Sequence, residues 1–134
     1  MPPPTIETRL LILVCSLLET GTGLALLMLP RLAVRILLGA ELLGAGVATS
    51  RLCGVALICF GLACWPEREE SPHGMDRRAP RALLVYNAAA SGYLACLMIL
   101  HGYRGIALVP AIAIHAALAA LLARMVVRGR AVRV

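Results

Sequence analysis

Residues 10–29, LLILVCSLLETGTGLALLML, run for twenty positions with a single charged side chain, Glu19. Wound as a helix, such a stretch is about 30 Å long, which matches the hydrocarbon thickness of a bilayer. Hydrophobic residues fill 60% of the 134 positions and charged ones 15%, an apolar excess too large for a soluble core of this size. Three more stretches repeat the pattern, at 46–65, 82–100 and 106–127. Backbone donors and acceptors cannot be left open in hydrocarbon, and the short alternating segments of a membrane barrel are absent. The chain therefore reads as a single transmembrane domain over 1–134, an all-α integral membrane four-helix bundle. The leader MPPPTIETR carries an acid beside its arginine and no small-residue cleavage site follows, so the first run reads as a span.

The arginines orient the bundle. One arrangement places Arg9, Arg68, Arg77, Arg78, Arg81, Arg124, Arg128, Arg130 and Arg133 on one side, and Arg31, Arg35, Arg51 and Arg104 on the other. That nine-to-four bias predicts both termini in the cytoplasm, with a cytoplasmic loop over 66–81, and a multi-pass membrane protein. Pro30 stops the first helix, and PRLAVRILLGAELLGAG after it predicts a short helix in the external interface. The alternative is an early start to the second span, which would carry Arg35 and Glu41 into lipid. HGYRG at 101–105 is short enough to force the last two spans into an antiparallel hairpin, with Pro110 in the first turn of the fourth.

Lipid removes the hydrophobic drive between helices, so close backbone approach must hold them. Gly54 and Gly61 share a face of the second span; Ala88, Gly92 and Cys96 step by four along the third; Ala113 and Ala117 do so along the fourth, beside Ala116 and Ala120. These stripes predict tight packing within the bundle, or equally docking onto copies of the chain or onto a larger membrane complex. Lipid is the partner that the net charge of +6 implies, because the arginines flank apolar runs and aromatic residues, at 4%, supply little stacking surface for nucleic acid.

Glu19 lies near the midplane, and His115 reaches a similar depth from the fourth span, with Asn87 and Ser91 of the third at neighbouring levels. A buried carboxyl beside an imidazole is how a membrane protein builds a proton relay or a polar ligand cradle; the structural alternative is a polar lock that keeps the helices in register. Arg51, just inside the second span, either snorkels to the interface or pairs with Glu19. Trp65 and Tyr86 read as interfacial anchors. The cysteines at 15, 53, 59, 64 and 96 contain no C-x-x-C and match no metal framework, so no metal site is expected. His73, His101 and His115 stand at unmatched levels, which excludes a bis-histidine haem. No nucleophile elbow, phosphate loop, dinucleotide fingerprint or H-E-x-x-H is present, so no catalytic residue is assigned.

The layout, with a first span ending in LMLPR, a second opening near an arginine and ending in GLACWP, a charged connector and a closing hairpin, resembles small bacterial four-helix membrane proteins of the DoxX-like kind. Some of that broader group are similar to the small subunit of a thiosulfate:quinone oxidoreductase, so the resemblance implies a quinone-facing accessory role, with quinone as the cofactor. Three readings result: a non-catalytic accessory or assembly subunit; a quinone-linked redox subunit with Glu19, Asn87 and His115 lining a polar notch; or a proton-coupled carrier using Glu19 and His115. Convergence of these three side chains on one cavity favours the second or third, and separate surfaces favour the first.

Overall fold

The computed structural model describes residues 6–66 and 78–131, which form five helices: α1 (Ile6–Met28), α2 (Pro30–Leu38), α3 (Ala45–Ala63), α4 (Arg78–Leu100) and α5 (Leu108–Ala131). There is no strand among the described residues. The chain is an all-helical bundle, and α1, α3, α4 and α5 are each long and apolar enough to cross a membrane, with mean hydropathy between 1.7 and 2.0. The charged connector expected over 66–81 falls largely on 67–77, outside the described residues; Arg78 to Arg81 form the first turn of α4.

Local chemistry sets the breaks. Proline at the first position of α2 offers no amide to the helix before it, and Leu29 leaves helical backbone at φ −129°, ψ 53°. α2 closes on Gly39, which takes φ +70° and returns its N–H to Arg35 O at 2.8 Å, the left-handed cap that a side chain would strain. The connection between α1 and α3 is thus a separate short helix, α2, followed by a turn, and Pro110 sits in the first turn of α5.

Two tight helix pairs make up the bundle. In the first, α1 and α3 run antiparallel with their backbones in contact. A methyl group placed on Gly23 would lie 2.6 Å from Gly54 O, and one placed on Gly54 would lie 2.6 Å from Gly23 O and 2.8 Å from Leu27 N. Two turns along, the corresponding position on Gly61 is filled by Thr20 Oγ1 and lies 2.8 Å from Ser16 O. The second pair is the hairpin of α4 and α5.

The pairs meet along a narrower seam, closed at each end. At the end holding the start of α1, the core of Ile12, Cys15, Cys64, Leu83, Leu118 and Leu122 draws on α1, α4, α5 and the cap of α3, with Phe60 of α3 packed against it. At the opposite end the α4–α5 turn lies over the end of α2: Arg104 N donates to Leu38 O at 3.3 Å, Ala107 N donates to Ile36 O at 3.0 Å, and Gly105 presses on the carbonyl of Leu37.

The small-residue stripes divide unequally. Gly54 and Gly61 are buried as the α1–α3 contact requires, and Cys96 is half-buried. Ala88, Gly92, Ala113 and Ala117 face outward, and a methyl group on Gly92 would meet open space. Of the two arrangements the spacing allows, packing within the bundle or an outward docking face, these four residues take the outward one. The inward face of α4 is taken by Leu83 and Asn87, and the helical period turns Ala88 and Gly92 about 100° away from it.

Candidate functional site

Glu19, Asn87, Ser16 and Ser50 are the buried polar side chains among the described residues. Three helices bring the first two to the seam. Glu19 of α1, 1% exposed, accepts a hydrogen bond from the hydroxyl of Tyr86 on α4, while its Oε1 has no hydrogen-bond partner among the described residues. The Tyr86 ring stands edge-on to His115 of α5 at a centroid distance of 5.9 Å and packs on Phe60 of α3 at 5.2 Å. His115 Nδ1 lies 2.8 Å from Asn87 Oδ1, and Asn87 Nδ2 donates to Leu83 O at 2.9 Å. Since the amide NH2 points at a carbonyl, Oδ1 is the acceptor toward the ring, and a neutral His115 carries its proton on Nδ1 with the lone pair on Nε2. The result is two polar pairs, Glu19 with Tyr86 and His115 with Asn87, joined by the ring contact of Tyr86 on His115.

Glu19, Asn87 and His115, singled out in the sequence, are therefore brought together, but through a residue the sequence placed elsewhere. Tyr86 is a half-buried bridge in the seam and not an interfacial anchor. The reason is a boundary: α4 starts at Arg78, not at 82, so Tyr86 lies eight residues inside the helix. Ser91 stands aside, its hydroxyl donating to Ala88 O at 3.0 Å within its own helix. Arg51 is exposed and lies toward the α2 end of α3. Gly54 is level with Gly23 and Leu27, and Glu19 lies more than a turn away from that level toward the other end of α1, so the Arg51–Glu19 pair is not formed.

The chemistry open to this cluster follows from what its donors already do. The Tyr86 hydroxyl, the Asn87 amide and His115 Nδ1 all have partners. A quinone carbonyl only accepts hydrogen bonds; beyond the one N–H that Asn87 Nδ2 gives to Leu83 O, its amide carries a second. The hydroxyls of Ser16 and Thr20 lack partners, but Ser16 is fully enclosed and Thr20 is pressed against Gly61 of α3. What the seam does offer is an acceptor, Glu19 Oε1. Among the described residues, no group of three or more His, Cys, Asp or Glu side chains could hold a metal ion, and the five cysteines are free thiols. No family model, no curated protein and no solved structure matches this chain.

Proposed function

We propose that this chain is a non-catalytic accessory or assembly subunit of the bacterial inner membrane, multi-pass with both ends in the cytoplasm. The contrast between its seam and its outer faces carries this reading. Within the seam Tyr86 binds Glu19 and His115 lies within hydrogen-bond distance of Asn87, side chain to side chain across helices, which is how a structural lock behaves. The outer faces are bare: in the most apolar stretches of α4 and α5 only 11% of the residues are buried, against 28% in α1. The exposed residues there include Ala88, Gly92, Ala113 and Ala117, over which another helix can approach to backbone contact.

The occupant expected first is a second copy. Native mass spectrometry from a mild detergent should show more than one chain per particle. Gly92→Leu combined with Ala117→Leu should give single chains of unchanged helicity, because both positions lie outside the fold's own contacts. A single chain from the unaltered protein, with no stoichiometric companion, removes the assembly role. Orientation is tested separately: reporters fused to the two ends should both register on the cytoplasmic side, as the nine-to-four arginine bias requires. Opposite sides would refute the four-span reading.

A second reading, a small proton-coupled carrier, is favoured by one observation, the open oxygen of the buried Glu19. Its test is proton flux in proteoliposomes, which Glu19→Gln should abolish; an unaltered protein without flux eliminates it. The quinone-facing role implied by the DoxX-like layout is a third reading, and its test is whether a quinone co-purifies with the protein in mild detergent.

A further inference from the structure

We propose that the groove between α2 and the turn joining α4 to α5 binds the phosphate headgroup of an anionic phospholipid. The groove has a volume of about 420 Å³, and its lining includes Leu32, Arg35, Ile36, Arg104 and Ile106. Two arginines thus line one concavity. The described acids are elsewhere: Glu7 and Glu19 belong to α1, and Glu41 lies in the linker beyond Gly39, outside the lining.

Arg104 is held ready. Its Nη1 donates to Met98 O at 2.9 Å and to Tyr103 O at 3.2 Å, which fixes the plane of the fork and leaves its remaining N–H groups for a ligand. The carboxyl end of α2 would otherwise repel an anion, but its carbonyls are covered. Arg35 O accepts from Gly39 N, Ile36 O from Ala107 N and Leu38 O from Arg104 N. The groove floor is therefore a capped helix end flanked by two cations.

A lipid, and not free phosphate, is indicated by the apolar rim. Leu32 is 51% exposed, Ile36 42% and Ile106 83%, and they border the same concavity as the arginines. A headgroup on the guanidiniums would lay the first methylenes of its acyl chains over these side chains, satisfying both halves of the surface at once. α2 is separated from the long helices by Pro30 and Gly39, and the turn pinned on it brings Arg104 alongside Arg35.

The test titrates the full chain in neutral detergent with phosphatidylglycerol, phosphatidylcholine or inorganic phosphate and reads retained ligand by native mass spectrometry and stabilisation by thermal unfolding. Phosphatidylglycerol should be retained in preference to phosphatidylcholine. Arg35→Gln, whose side chain supports no described hydrogen bond, should weaken that retention about fivefold, the effect of one basic charge near an anionic surface. Arg35→Gln with Arg104→Gln should lose the preference, and Arg31→Gln, on the same helix but outside the lining, should keep it. Arg35→Lys should restore most of the preference, which a merely structural role would not predict. Equal retention of the two lipids, or a preference unchanged by Arg35→Gln, overturns the site. Stabilisation by inorganic phosphate equal to that by phosphatidylglycerol overturns the lipid as its occupant.

Discussion

Gly54→Leu should leave no folded bundle to purify, while Gly92→Leu, an identical change one pair of helices away, should leave each chain folded with unchanged helicity. At Gly54 even the first carbon of a side chain meets Gly23 O at 2.6 Å and Leu27 N at 2.8 Å. Both obstacles are backbone, which has no rotamer to move into, so the helices themselves must separate. Overpacking a yielding core costs roughly 1–3 kcal/mol; here α1 and α3 would lose their contact along its whole length, and the cost should exceed about 3 kcal/mol. Gly54→Ala should fall between the two. The measurement is the monodisperse fraction and helicity of each variant in detergent, scored against Gly92→Leu, where a side chain points into open space. A monodisperse, fully helical Gly54→Leu protein would show that the α1–α3 contact is not what holds the bundle.

The glycine contact shows what a sequence of this kind discloses. Gly54 and Gly61 could be placed on one face from their spacing alone, and Pro30 and Gly39 mark the short helix they bound. Which face of each helix turns inward was far less legible. A soluble helix announces its inner face by being polar on the other, but a helix in lipid is apolar all round and the signal vanishes. So Gly23, the partner that makes Gly54 necessary, went unremarked, and the spacing of Ala88 and Gly92 left open whether they pack inside the bundle or, as they lie here, face out.

Polar residues escape this ambiguity because burying them unpartnered is costly. Glu19, Asn87 and His115 were visible for that reason, and they do meet. Tyr86 was harder. An aromatic ring with a polar tip suits either an interface or a buried hydrogen bond, and only the true start of α4 at Arg78, four residues ahead of the apolar run, decides between them. Arg51 illustrates the converse: its charge was conspicuous, but its partner depended on the register of α1 against α3, which the glycines fix and no composition reveals.

The largest effect at the seam should come from removing one half of its bridge. Tyr86→Phe keeps the ring against Phe60 and His115 but strips the hydroxyl from Glu19, whose Oε1 already lacks a partner. The carboxyl is then buried with neither oxygen bonded, which costs about 1–3 kcal/mol in water-soluble proteins. Hydrogen bonds between membrane helices average nearer 0.6 kcal/mol, because the separated helices also find partners. A carboxyl left bare differs from an ordinary bond removed, so we expect about 1–2 kcal/mol in unfolding titrations with denaturing detergent. Glu19→Leu should cost a similar amount by orphaning the tyrosine hydroxyl, and Glu19→Gln, which still offers an acceptor, should cost less than either. The decisive species is the double variant Glu19→Leu with Tyr86→Phe. Both polar groups are gone, the seam becomes apolar, and stability should return close to that of the unaltered protein. Additive losses in the double variant would mean that the two side chains do not act as a pair. If it is stable, it also separates the two roles of Glu19. A chain that is only an assembly subunit should still form its complex with the seam made apolar, whereas a carrier that needs the carboxyl would be intact and silent in proton flux.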